Sequence, residues 1–109
     1  MKTIKFSHNW NNKLDCDIFT TIRRFTEEKY LYYSQSLGEC FNVVLTDLDN
    51  TDKELVYTKA KLVSVMEEDL REIPLGILIL DTGSFEPFKI FEQFKLTPNS
   101  KVLQLVFQK

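Results

Sequence analysis

The segment from Ile18 to Arg23 carries the side chains best suited to ligand chemistry in this chain. In a β-strand, where successive side chains point to opposite faces, Phe19, Thr21 and Arg23 share one face. A phenyl ring can stack, a hydroxyl can donate and accept, and a guanidinium can bind phosphate, carboxylate or a base edge. We predict that this face binds a ligand and that the other face packs on the core. A half-buried strand with a merely solvated polar face gives the same pattern, and the pattern alone favours that simpler interpretation.

Other residue types give little support for catalysis. His8 is the only histidine, and it cannot form a dyad with Ser7, because neighbouring side chains of an extended segment point apart. Cys16 and Cys40 have neither the partners of a zinc site nor those of a secreted disulfide framework. We therefore expect no metal, no cofactor and reduced thiols, which are typical of a cytoplasmic protein.

The composition predicts a single folded domain over residues 1–109. The 109 residues include 43% hydrophobic residues and nine phenylalanines, and no Gly/Pro/Ser-rich tract divides them. Fourteen lysines and arginines against sixteen acids give a net charge of -2, which argues against binding nucleic acid mainly through a broad basic surface. The sequence contains neither a signal segment nor an apolar run long enough to cross a bilayer. We expect a monomer without membrane contact.

Hydrophobic periodicity predicts both strands and helices. Alternation of apolar and polar side chains indicates strands at residues 3–6, 18–23, 41–46, 55–66 and 103–108. Within the fourth of these, a phase shift at Leu62-Val63 predicts a bulge or a bend. Thr26 can cap a helix that begins at Glu27, and Gly38 is a plausible stop for it.

The segment from Pro74 to Leu80 is harder to assign. Its apolar run could form a buried strand, but a proline at the first helical position and a glycine stop at Gly83 favour a short helix. Ser84 can cap a further helix. A stripe with three-residue spacing follows in that helix, and we expect it to pack in the core: Phe85, Phe88, Phe91 and Phe94.

This order of elements indicates an α+β fold, a small mixed β-barrel of about five to six strands with short helices over its openings. Several short segments resemble the ASCH family of PUA-like barrels, namely Ile4-Lys5-Phe6-Ser7, Thr21-Ile22-Arg23, Leu37-Gly38-Glu39, Ala60 to Val65, and Val106-Phe107. The resemblance implies a superfamily associated with RNA or modified-nucleoside binding. It also implies a cleft beside the Thr21-Ile22-Arg23 strand, lined by Ser7, His8, Thr21, Arg23 and Asp81.

One branch of the ASCH family consists of amidohydrolases that cleave N4-acetylcytidine, with a motif similar to Gly-x-Lys-Thr-x-Thr-x-Arg and a distant glutamate. With Thr21 on the second threonine and Arg23 on the arginine, Ile18 occupies the lysine position, and Asp81 could stand for the glutamate. A branched alkyl group can neither activate a nucleophile nor hold an oxyanion. The resemblance therefore leaves open whether this chain is an enzyme.

Three functional hypotheses follow. The leading one is a non-catalytic domain that binds RNA or a nucleotide-derived ligand in the cleft. The second is an amidohydrolase acting on an acylated nucleoside, with Thr21 as nucleophile and Asp81 as acid or base, provided that Lys13 or Lys59 reaches the cleft. The third is a protein-interaction module whose acidic hairpin, residues 47–54, meets a basic partner.

Overall fold

The computed structural model describes residues 1–6, 8–46 and 54–109. Five strands, three α-helices and two short 3₁₀ helices follow one another along the chain. Their order is β1 (Lys2–Phe6), a first 3₁₀ helix (Trp10–Asp15), β2 (Ile18–Arg24), α1 (Glu27–Gln35), β3 (Cys40–Thr46), β4 (Glu54–Asp69), a second 3₁₀ helix (Leu70–Glu72), α2 (Leu75–Thr82), α3 (Pro87–Gln93) and β5 (Lys101–Gln108).

The strands form one mixed sheet in the order β1-β3-β4-β5-β2. β1 runs parallel to β3, and all other pairs are antiparallel. The predicted α+β class is confirmed, whereas the barrel is not, because β1 and β2 are the two edges and do not pair with each other in the described parts of the chain. One side chain nevertheless links the two edge strands, because Arg23 Nη2 in β2 donates to the Lys5 carbonyl oxygen in β1 at 2.8 Å.

The long strand β4 carries the irregularity that the sequence predicts. Its pairing with β5 shifts register between Leu62 and Ser64, which confirms the bulge expected from the phase shift. Leu62 is fully buried, whereas Val63 is 41% exposed. A second register shift, between Val43 and Val44 in β3, was not predicted, and both of these valines are buried.

The helix boundaries follow local capping chemistry. Thr26 Oγ1 accepts a hydrogen bond from the Lys29 backbone N–H at 3.1 Å, which confirms the predicted start of α1. The predicted stop is displaced, because α1 ends at Gln35 and Gly38 lies in the turn before β3 with φ 84°. The helical alternative for the 74–80 segment is confirmed, although Pro74 directly precedes α2 instead of occupying its first position. α2 ends at Thr82, and Gly83 follows it with φ 69°, a conformation that favours glycine.

The phenylalanine stripe is less buried than we expected. α3 begins only at Pro87, and Ser84 precedes it, accepting a hydrogen bond from the Glu86 N–H at 3.0 Å. Phe91 is buried in the core, but Phe85 is 89% exposed because it lies before the helix. The prediction of core packing therefore does not hold for the whole stripe.

The buried apolar residues form two hydrophobic clusters, and β2 contacts both, because Phe19 belongs to the first and Ile22 packs against the second. Phe19 is buried and stacks on Phe107 with ring centroids 5.5 Å apart, so it cannot stack on a ligand. Ile18, expected in the core, is 58% exposed. The predicted roles of the two faces of β2 are thus wrong at its start, because alternation separates two faces without indicating which of them the rest of the chain covers. No helix in the described ranges is long and apolar enough to cross a membrane.

Candidate ligand-binding site

A cavity of about 300 Å³ opens between the two edge strands of the sheet. Residues from β1, the first 3₁₀ helix, β2, α2 and the end of α3 meet there. The polar lining consists of Lys5, His8, Lys13, Thr21, Arg23, Arg24 and Asp81. The apolar lining consists of Phe6, Ile22, Phe91, Phe94 and Leu96.

Four of the five predicted site residues meet at this cavity. Thr21 and Asp81 are each 4% exposed, whereas His8 and Arg23 are half-buried. The fifth, Ser7, lies outside the described residues. The geometry thus brings together side chains from β2, α2 and the segment after β1, and their role in ligand binding stays a prediction.

Arg23 is held in a fixed orientation by its neighbours. Its Nε donates to Thr21 Oγ1 at 3.1 Å, and its Nη2 donates to the Lys5 carbonyl oxygen at 2.8 Å. The guanidinium also lies over the Phe6 ring, 4.7 Å from its centroid. Burial lowers the pKa of Arg23, and the nearby Tyr33 and Asp81 oppose this effect. The guanidinium is therefore preorganised at the cavity wall before any ligand arrives.

A second polar cluster surrounds Asp81 in α2. Its Oδ1 accepts from Lys13 Nζ at 2.9 Å and from Thr20 Oγ1 at 3.0 Å. The Lys13 side chain is 11% exposed, and burial, the largest effect, lowers the pKa of its amine. Asp81 raises this pKa and Arg23 lowers it, and the net effect is a decrease. The amine of Lys13 therefore lies at the cavity as a desolvated group with a hydrogen-bond partner.

The first 3₁₀ helix directs Lys13 toward the cavity. Leu14, the next residue, is fully buried, and its N–H donates to Asn9 Oδ1 at 3.0 Å. Of the two lysines considered in the hydrolase hypothesis, Lys13 reaches the cavity. Lys59 instead lines a separate groove beside Cys40.

Two residues of this region, Thr20 and Arg24, were missed by sequence reasoning. Both lie on the face of β2 that was assigned to the core, but side chains from either face can reach the free edge of an edge strand. Arg24 Nη2 donates to the Phe94 carbonyl oxygen at 2.7 Å, at the end of α3. The one available signal was the pair of adjacent arginines at the end of a predicted strand.

The cavity is strongly cationic although the whole chain carries a net charge of -2. Among residues 1–6, 8–46 and 54–109, four lysines and arginines and one carboxylate, that of Asp81, line it. Such an excess attracts an anionic ligand. In the described part of the chain, no three His, Cys, Asp or Glu side chains are grouped so that they could hold a metal ion. Comparison with protein-family models, curated proteins and solved structures finds no match to this chain.

Proposed function

We propose that this chain binds RNA or a nucleotide-derived ligand, without catalysis, in the cavity between β1 and β2. The observation that carries the proposal is the combination of a cationic lining, aromatic walls and a preorganised guanidinium at one cavity. Its volume of about 300 Å³ lies at the lower end of the range for small-molecule sites, which suits a single nucleotide unit. The resemblance of short segments to the ASCH family implies the same function.

Each polar group has a role that its bonding allows. Arg23 would bind a phosphate or a base edge, because its existing bonds use only two of its five N–H donors. Thr21 would add a hydroxyl contact. Asp81 already accepts two bonds on Oδ1, so Oδ2 would accept from an exocyclic amine or a ribose hydroxyl. Phe94, which is 48% exposed and lines the cavity, would offer apolar surface to the ring of a base.

Titration of the protein with nucleosides, nucleotides and short RNAs, followed by NMR amide shifts at stated salt, tests this function. We expect the largest shifts at Thr21, Arg23 and Asp81. Arg23→Ala should weaken binding at least tenfold, since hydrogen bonds to a charged group contribute about 1.5–3 kcal/mol. Arg71→Ala is the matched control, because Arg71 is exposed on the second 3₁₀ helix and does not line the cavity. Equal affinities for both variants would contradict the proposal.

The second candidate function is hydrolysis of an acylated nucleoside, and the position of Lys13 supports it. The Lys13 amine lies 2.9 Å from Asp81 Oδ1 and could take the part of the lysine that Ile18 replaces. Thr21 would attack the acyl carbon, the bond from that carbon to the cytidine amine would break, and the lysine and carboxylate would transfer the hydroxyl proton to the leaving amine. Water would then hydrolyse the acyl ester on Thr21, releasing acetate and restoring the hydroxyl. Release of acetate from N4-acetylcytidine that is lost in Thr21→Val and in Lys13→Met would support hydrolysis. Binding without acetate release would exclude it for this substrate.

The remaining hypotheses stay predictions. The acidic hairpin of the protein-interaction hypothesis, residues 47–54, lies outside the described residues except for the first residue of β4. A nuclease-resistant interaction that depends on these acids would support a protein partner. The monomeric state and the cytoplasmic location also await measurement.

A further inference from the structure

We infer that the cavity selects ligands with a terminal phosphate, which Arg23 and Arg24 would hold from opposite sides of the β2 edge. This inference rests on the proposed binding function and deepens it. It names the phosphomonoester as the recognised group and adds Arg24, which no sequence pattern assigned to the site.

The geometry of an edge strand supports this arrangement. Adjacent side chains of a strand point to opposite faces. In a central strand, a ligand on one face could therefore contact Arg23 or Arg24 but not both. Within the described residues β2 pairs with β5 alone, and both arginines line the same cavity. Arg23 extends to the Lys5 carbonyl oxygen in β1, whereas Arg24 extends to the Phe94 carbonyl oxygen. The two guanidinium groups are therefore anchored to different elements that border one cavity.

The charges of the two arginines are not neutralised within the described residues. Both guanidinium groups bond to neutral oxygens, and neither forms an ion pair with a carboxylate in the described part of the chain. Among the described residues, Asp81 supplies the one carboxylate that lines the cavity, and it is already paired with Lys13. The guanidinium of Arg23 is partly removed from water and would be stabilised by an ionic partner that the ligand supplies, whereas Arg24 is exposed and would add its charge at the mouth of the cavity.

A terminal phosphate fits two guanidinium groups better than an internal one does. A phosphomonoester carries a charge of about -1.5 to -2 near neutral pH and three free acceptor oxygens, whereas an internal phosphodiester carries one charge. Each guanidinium presents a planar fork that matches a pair of phosphate oxygens. The cavity of about 300 Å³ leaves room for the sugar and base of one nucleotide. The phosphate end of a mononucleotide or of an RNA chain offers this chemistry.

Calorimetric titration with matched ligands tests the inference. The probes are the four ribonucleosides, their 5′-monophosphates, inorganic phosphate, and one short RNA with and without a 5′-phosphate. We expect each monophosphate to bind at least tenfold more tightly than its nucleoside, and this advantage to shrink as salt increases. If the 5′-phosphate strengthens binding of the RNA by the same factor, the RNA end is a ligand. If the phosphate strengthens binding of mononucleotides alone, the ligand is a free nucleotide.

The variants distinguish phosphate binding from a structural role. Arg24→Gln should remove most of the advantage that the monophosphate has over its nucleoside, a loss of roughly tenfold to a hundredfold. Arg24→Lys keeps the charge but loses the fork, so it should restore only part of the advantage. Arg71→Gln, at the exposed arginine outside the cavity, should keep all of it. Amide spectra of each variant report whether the fold is retained.

The outcomes separate this inference from the proposed function. Nucleosides that bind as tightly as their monophosphates would overturn the phosphate site and leave nucleotide binding intact. The same conclusion follows if Arg24→Gln retains the full advantage in a folded protein. Inorganic phosphate that binds as tightly as the nucleotides would support the phosphate site and contradict the nucleotide function. Absence of binding for every probe would overturn both.

Discussion

The buried ion pair between Lys13 and Asp81 should contribute almost nothing to the free energy of unfolding, because its Coulomb attraction and its desolvation cost nearly cancel. Their Nζ and Oδ1 atoms lie 2.9 Å apart, and the side chains are 11% and 5% exposed. At an effective dielectric constant of about 20, the Coulomb attraction at this distance is about 6 kcal/mol. Removing each ion from water costs several kcal/mol, so the two effects nearly cancel. The lowered pKa of Lys13 agrees, because burial and the charge of Arg23 together outweigh the effect of Asp81 there.

A double-mutant cycle measures this balance. Lys13→Met or Asp81→Leu alone leaves one buried charge without its partner and should lower the free energy of unfolding by about 3 kcal/mol. The double variant removes both charges and should lie within about 1 kcal/mol of the natural chain, apart from the acceptor that Thr20 loses. Urea denaturation followed by circular dichroism gives these values. A domain with roughly 5–15 kcal/mol of stability can report such losses.

The chain provides a matched control for this cycle. Lys89 and Glu86 form an ion pair at 3.2 Å with side chains 71% and 66% exposed. Water screens that pair, so the coupling energy of Lys89→Met and Glu86→Leu should be about 0.5 kcal/mol or less. If the losses at Lys13 and Asp81 are instead additive in the double variant, the two buried charges do not compensate each other and the reasoning is refuted.

Two further predictions use backbone conformation and pH. Gly83→Ala should destabilise the protein by about 1 kcal/mol, because Gly83 has φ 69°. Gly76→Ala should stabilise it by about 0.5–1 kcal/mol, because Gly76 lies inside α2 and no atom lies within 4 Å of an added Cβ. Urea unfolding measures both, and equal signs would contradict this explanation. Folding lowers the pKa of Lys13 below 10.5, its value in the unfolded chain. Between the folded and the unfolded pKa, the unfolded chain binds more protons than the folded chain, so this residue makes a contribution to the free energy of unfolding that rises with pH. Relative to Lys13→Met, the natural chain should therefore become more stable as pH increases toward 10.5, and a relative loss would contradict the assigned shift.

Local patterns predicted the elements well because local chemistry specifies them. The strand around Phe41 and the bulge at Leu62 follow from side-chain alternation and its interruption. Thr26 and Gly83 mark helix ends because a hydroxyl can accept a backbone N–H and a glycine readily adopts positive φ. The exposure of Phe85 could not be predicted in this way. Phe85 shares the three-residue spacing of the later phenylalanines, but α3 begins only at Pro87.

The candidate site was only partly accessible from the sequence. Thr21 and Arg23 stood out by residue type, and Asp81 entered through the ASCH resemblance. Thr20 and Arg24 could not be found, because they belong to the site only if β2 is an edge strand. No local propensity distinguishes an edge strand from a central one with this pattern.

The sequence alone determined the approximate limits of five strands, the helical start at Thr26, and an overall charge too low for a broad nucleic-acid-binding surface. The tertiary structure decided the strand order, the gap between β1 and β2, and the cavity within that gap. It also brought Lys13 to Asp81 across 68 positions of the chain. The physical reason is that hydrogen bonding and periodicity act between near neighbours in sequence, whereas the cavity depends on which distant segments the packing brings together.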